Sequence, residues 1–169
     1  MQTTTFNGTT VNLAGTQINV GDKAPSVIAT GTDLNDVEIG GAKDKIQLII
    51  TVPSLDTATC ASETRRFNMD VNNLEICETT VVSMDLPFAS ERFCSTEGIE
   101  NLTVASDYID KEVSKAYGVL MDDNKLKGLS ARAVFVVDRS GHVVYKEIVR
   151  EVTDEPNYEA ALDAIKEAR

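Results

Sequence analysis

The sequence predicts an α/β fold: a mixed central sheet flanked by helices on both faces, with a β-hairpin at the N-terminus. Three observations predict it. Short apolar strand candidates alternate with helical patterns through the middle of the chain, and a late hairpin adds antiparallel strands to what would otherwise be a parallel sheet. The length of 169 residues, 42% of them apolar, suits a single domain spanning 1–169 with a core of its own.

The N-terminal segment, about 3–20, carries the β-prone pieces Thr3–Phe6, Thr9–Leu13 and Gln17–Val20. Asn7-Gly8 and Ala14-Gly15 separate them as turns, so a small hairpin is expected. Gly21-Asp22-Lys23-Ala24-Pro25 breaks the pattern, and an extended piece at Val37–Ile39 ends on Gly40-Gly41. Ile46–Val52 is a buried strand closed by Pro53-Ser54, and a helix opens near Thr57. Cys60, Thr64, Phe67, Val71 and Leu74 then recur at offsets of four and three, which places them on one helical face. Glu63, Arg65, Arg66 and Asn68 are read as its polar side.

Thr79–Met84 reads as a second buried strand, followed by Asp85-Leu86-Pro87 at a helix start, where the missing N–H of proline costs nothing. Leu102–Ala105 gives a third strand and Asp110–Tyr117 a helix. Ala133–Asp138 and Val143–Val149 form the late hairpin around Arg139-Ser140-Gly141-His142. A last helix over Tyr158–Lys166 turns Ala161, Leu162 and Ile165 inward.

Charge narrows the function classes. Sixteen basic against 27 acidic side chains give −11 at pH 7, a field that repels phosphate backbones and anionic lipid. No nucleic acid and no membrane partner is therefore expected. The N-terminus has neither a basic head nor an apolar run, so a cytoplasmic location is the default expectation.

Cys60, Cys77 and Cys94 are too few and too widely spaced for a disulfide scaffold. They lack the close C-x2-4-C pair of a zinc site and the C-x-x-C of a thioredoxin-type oxidoreductase. Neither a metal nor a cofactor is expected, and no glycine-rich nucleotide motif occurs. Cys60 is the distinctive one. With Thr57 as N-cap it occupies the third helical position, where free N–H groups and the helix dipole favour a negative group. A cysteine in such a setting commonly titrates below the free value of about 8.5, yet full ionisation at pH 7 gains only roughly 30-fold. Fast chemistry at such a sulfur needs more: a hydroxyl, N–H donors and a fixed cation that align the bond under attack and stabilise the departing atom. Read alone, Cys60 could equally be a core cysteine and Thr57 an ordinary cap, while Arg132, just before the Ala133 strand, could be a surface ion-pair member.

Val52-Pro53-Ser54-Leu55-Asp56-Thr57-Ala58-Thr59-Cys60 resembles the peroxidatic motif of the peroxiredoxins, in the form found in the bacterial thiol peroxidase subfamily. Gly21–Pro25, Ser83–Ala89, Arg92-Phe93-Cys94, Glu97–Asn101 and Gly128–Ala133 are similar to the same subfamily in the same order, so the resemblance runs over nearly the whole chain. It implies a thioredoxin-like fold and a thiol peroxidase of the atypical two-cysteine type. Cys60 would be the peroxidatic cysteine and Cys94 the resolving one. Thr57 would hydrogen-bond sulfur and peroxide, Pro53 would shield the sulfur from water, and Arg132 would support thiolate and peroxide. The resemblance further implies a homodimer that thioredoxin re-reduces. Ala58 stands where relatives commonly have proline or glycine, at a helical position that tolerates alanine.

On that reading a hydroperoxide oxidises Cys60 to a sulfenic acid, and Cys94 condenses with it to a disulfide. The two sulfurs are 34 positions apart, a loop whose closure restricts the unfolded chain by about 4 kcal/mol. If two helices hold them apart, the first turn at Cys60 and the segment around Cys94 must loosen. Cys77 is expected to be structural, since its acidic neighbours Glu75 and Glu78 disfavour a thiolate. His142 is expected at the surface, a Cys60–His142 pair requiring it to fold back onto the helix. Leu55, Leu86 and Phe88 suggest an apolar recognition site for alkyl as well as hydrogen peroxide. The alternative reading is a peroxide sensor that keeps both cysteines without sustained turnover.

Overall fold

The computed structural model describes residues 2–71 and 77–168. Its strands are β1 (Thr3–Phe6), β2 (Thr9–Ala14), β3 (Val27–Gly31), β4 (Asp36–Ile39), β5 (Ile46–Thr51), β6 (Cys77–Ser83), β7 (Thr103–Ser106), β8 (Leu120–Met121), β9 (Ala133–Val137) and β10 (Val143–Ile148). The helices are α1 (Ala58–Asp70), α2 (Pro87–Glu97), α3 (Glu112–Ala116) and α4 (Tyr158–Glu167). Seven strands form the central sheet in the order β10-β9-β5-β6-β7-β3-β4, and β1-β2-β8 form a small second sheet. β5–β6 and β6–β7 are parallel, and the remaining central pairs are antiparallel. The expected mixed sheet is thus present.

β5 lies between β6 and β9, and all six of its residues are buried, which accounts for its nearly unbroken apolar run. Its side chains still alternate between two cores. Ile46, Leu48 and Ile50 pack with Phe67, Tyr158, Ala161 and Ile165 on the α1/α4 side. Ile49 packs with Val11, Leu13, Val113, Tyr117 and Met121 on the side of α3 and the small sheet. β9 repeats the division, with Val134 and Val136 on the first side and Ala133, Phe135 and Val137 on the second. Helices therefore cover both faces, as expected.

Several boundaries differ from expectation. Gln17–Val20 is not a strand: Ile18 is buried, but its carbonyl accepts from Lys146 Nζ at 2.6 Å rather than from a strand partner. The hairpin therefore ends at Ala14, and its third strand is the distant β8, paired through Leu13↔Met121 and Ala14↔Leu120. β3 was not anticipated, because Val27–Gly31 is short and ends on glycine; β4 and the edge of β7 hold it in place. The expected position of Leu74 on the α1 face lies outside the described residues.

Parallel pairing fixes where chemistry can gather. β5 and β6 run the same way, so Thr51 and Ser83 end at one rim of the sheet. β9 runs opposite to β5, and Thr51↔Ala133 brings the start of β9 to that same rim. The loops to Cys60 and Cys94 and the residue Arg132 therefore converge there, as ligand-binding loops do at the carboxyl ends of parallel strands.

Candidate active site

Thr57 has extended backbone angles, φ −94° and ψ 149°, and caps α1 by accepting from the Cys60 N–H at 3.3 Å. Cys60 sits in the first turn, where no acidic side chain is present, and is fully buried beside Val52, Leu55 and Phe67. The Thr57 hydroxyl meanwhile donates to Ser54 O at 3.2 Å, so it must turn to serve a bound substrate. Pro53 is buried in the loop between β5 and α1.

Arg132 is 2% exposed and reaches this helix start from the sheet. It shares the face of Val134 and Val136, which is the face that α1 covers. Its Nε and Nη2 donate to Val152 O at 2.9 and 2.8 Å, and its Nη1 donates to Glu63 Oε2 at 2.5 Å. Glu63 lies three residues beyond Cys60 on α1, so this ion pair brings the guanidinium to the turn that carries the Cys60 sulfur. Burial works against the guanidinium charge, but Glu63 and Cys60 together hold its pKa above the ordinary value. Arg132 is therefore a buried, fixed cation rather than a surface ion-pair member.

Glu63 is the residue that sequence reasoning misplaced. Assigned to the polar side of α1, it is fully buried, three positions from Cys60 and paired with Arg132. Burial pushes its carboxyl up to about 7 against the opposing pull of Arg132. Its Oε1 has no hydrogen-bond partner among the described residues. The available signal was the offset of three from Cys60, which shares the buried face of the helix.

The N-terminal hairpin supports this arrangement from outside. Thr5 N–H donates to Arg150 O at 2.9 Å and Val152 N–H to Thr5 O at 2.8 Å, while Thr4 Oγ1 donates to Val149 O at 2.9 Å. The carbonyl that holds Arg132 is thus anchored to β1.

Cys94 is half-buried on α2 and, like Cys60 and Cys77, carries a free thiol. Burial pushes its thiol pKa up, and Glu91 adds to the shift. Cys77 begins β6, at the opposite end of the strand from Ser83. Burial comes first in raising its pKa, with Glu78 a minor contributor, and its Sγ contacts Thr79 Oγ1 at 3.7 Å. Glu75 lies outside the described residues. His142 lies in the β9–β10 turn, with Nδ1 2.9 Å from Ser140 Oγ. Val137 pairs with Gln47 and Ala133 with Thr51, so that turn is about 13 Å of strand away from the Arg132 rim. A Cys60–His142 pair is excluded.

Beside the Cys60 loop lies a cavity of ≈ 210 Å³ lined by Leu55, Asp85, Ala89 and Phe93 among others. Leu55 fits the expected apolar site, but Leu86 and Phe88 do not line it: they are 52% and 66% exposed.

Residues 19–162 match the family model described as Redoxin. A thiol peroxidase from Campylobacter jejuni is 52% identical over 164 residues, covering 97% of this chain and 92% of that protein. A thiol peroxidase from Aquifex aeolicus is 48% identical over 166 residues, 98% of each chain. The chain belongs to the thiol peroxidase subfamily of the peroxiredoxins. The crystal structure of a peroxiredoxin-like protein from Aquifex aeolicus superposes with a TM-score of 0.97 at 46% identity, covering 100% of this chain and 98% of that one. The thioredoxin-like peroxiredoxin fold, N-terminal hairpin included, is therefore that of the subfamily.

Proposed function

We propose that this thiol-dependent peroxidase reduces hydrogen peroxide and alkyl hydroperoxides at Cys60, resolves the product with Cys94, and is returned to the dithiol by thioredoxin. One observation carries the reading: Cys60 sits buried in the first turn of α1, and the buried Arg132 guanidinium pairs with Glu63 three residues further along the same helix. The sulfur attacks one oxygen of ROOH, the O–O bond breaks, and the second oxygen leaves as ROH after taking a proton. Arg132 stabilises negative charge on sulfur and on the departing oxygen, in a site from which burial excludes bulk water. Thr57 orients the substrate through its hydroxyl, and Pro53 closes the loop over the sulfur. Glu63 holds Arg132 from behind. The sulfenic acid then condenses with the Cys94 thiol, releasing water and forming the disulfide.

The exposed apolar side chains Leu86, Phe88, Tyr108 and Ile109 follow β6 and β7 at the site rim, where Asp107 N–H donates to Ser83 O at 2.8 Å. They support a homodimer that covers this edge. The charge of −11 argues against nucleic acid as a partner, and no described helix is long and apolar enough to cross a membrane. A cytoplasmic location is part of the proposal, supported by three widely spaced cysteines in place of a dense scaffold.

A peroxide assay coupled to thioredoxin oxidation tests the reading. Sustained turnover with a Cys60–Cys94 disulfide, mapped by mass spectrometry after one equivalent of peroxide, is the expected result. Consumption of a single equivalent would mark a sensor instead.

A further inference from the structure

Cys60 and Cys94 are free thiols on two different helices, and what ties those two segments bears on how the sulfurs meet. One carboxylate lies across both. Asp85 follows β6 two residues before α2 begins, and its Oδ1 accepts from Ser54 Oγ at 2.7 Å. Its Oδ2 accepts from the Leu55 N–H and from Ser83 Oγ, each at 2.7 Å. Ser83 fixes Asp85 to the end of β6, its Oγ accepting from the Asp85 N–H at 3.2 Å.

On the other side, Ser54 organises the whole Cys60 loop. Its Oγ accepts from the Asp56 N–H at 3.1 Å, and its carbonyl accepts from the Thr57 N–H at 3.3 Å and from Thr57 Oγ1 at 3.2 Å. Thr57 in turn caps Cys60. A continuous hydrogen-bond chain thus runs from the root of the Cys94 helix, through Asp85 and Ser54, to the backbone of Cys60.

At the far end of α1, Asn68 bonds Glu100 and Asn101 just beyond α2, so Asp85 is the tie at the Cys60 end. α2 has no side-chain cap at Leu86, and the Arg65–Glu97 ion pair between α1 and α2 is exposed at 45% and 30%. The ≈ 210 Å³ cavity between loop and helix leaves room for either segment to move.

We propose that Asp85 is the latch of the closed form, a positioning residue that sets how the Cys60 sulfenic acid is divided between repair and damage. The inference rests on the peroxidase reading above. In the closed form a second hydroperoxide oxidises the sulfenic acid, Cys60–SOH + ROOH → Cys60–SO₂H + ROH. Once the latch opens, Cys60–SOH + HS–Cys94 → the Cys60–Cys94 disulfide + H₂O. Hydrogen bonds to a charged acceptor are roughly twice as strong as neutral ones, so removing the carboxylate charge shifts the balance towards opening and the disulfide.

The test is the hydroperoxide concentration at which half of the protein becomes sulfinic acid, read by mass spectrometry with thioredoxin recycling. Asp85→Asn should raise it about tenfold, the effect of one lost charge-assisted bond. Ser54→Ala, which removes one partner and leaves Asp85 in place, should raise it roughly threefold. Asp138→Asn is the control: it removes another carboxylate that accepts backbone N–H bonds, from Ser140 and His142 in the β9–β10 turn at the opposite end of the sheet from the Arg132 rim, and should leave the value unchanged. No change in Asp85→Asn and Ser54→Ala, or an equal rise in the control, would overturn the latch. Wild-type protein that forms no Cys60–Cys94 disulfide at any peroxide level would instead overturn the peroxidase reading, and the latch with it.

Discussion

Cys60 and Cys94 lie on helices that follow two adjacent parallel strands, yet their surroundings are opposite. Cys60 is in the first turn of a capped helix, buried beside a guanidinium. Cys94 is near the far end of α2, where its own carbonyl accepts from the Gly98 and Ile99 N–H groups, both at the helix terminus, and its neighbour Glu91 is acidic. The helix dipole helps a negative group at the first site and opposes one at the second. On the proposed reading, the same strand–helix unit places one sulfur to meet an electrophile and leaves the other with a raised pKa. The division of labour comes from position along the helix and from one fixed cation.

Removing each sulfur should break the comparison most sharply. Cys60→Ser should lower peroxide consumption by at least about a thousandfold, since positioning and charge stabilisation act only through that atom. Cys94→Ser should consume the first equivalent at the wild-type rate and then lose turnover, taking up further peroxide only as the sulfenic acid goes on to sulfinic acid, as a stopped-flow trace with thioredoxin present would show. Arg132→Lys comes next. Lysine keeps the charge but cannot bond Val152 O twice and Glu63 at once, so the cation loses its fixed place and the first oxidation step should slow by ~10²-fold in single-turnover measurements. Glu91→Gln should have the smallest effect and the opposite sign. It removes a charge that raises the Cys94 pKa, so disulfide formation near pH 7 should quicken by about threefold and its pH midpoint should move down.

The strong strands and the Cys60 helix were legible because their signals are local. The apolar run of β5, Thr57 three residues before Cys60, Pro87 at the first position of α2 and the β9–β10 turn each declare themselves within a few residues. What escaped is held by distant partners. β8 is two residues long and exists because Leu13 and Ala14 pair with it, while β3 depends on β4 and β7. Gln17–Val20 has strand-like composition but lacks a ladder to join. A glutamate on a helix is usually solvated, and only the buried Arg132, reaching Glu63 from the residue before β9, reverses that expectation here. The motif residues Cys60, Thr57, Pro53 and Arg132 do gather at one rim, whereas the geometry linking Cys94 to them through Asp85 had no signature in the sequence.

The central claim is that peroxide meets Cys60 first and Cys94 only afterwards. It is tested most directly by treating the Cys94→Ser variant with one equivalent of hydroperoxide and a sulfenic-acid trapping reagent, then mapping the adduct by mass spectrometry. The account predicts the label on Cys60 and none on Cys77. Label on Cys77, or none on Cys60 although peroxide has been consumed, would contradict it.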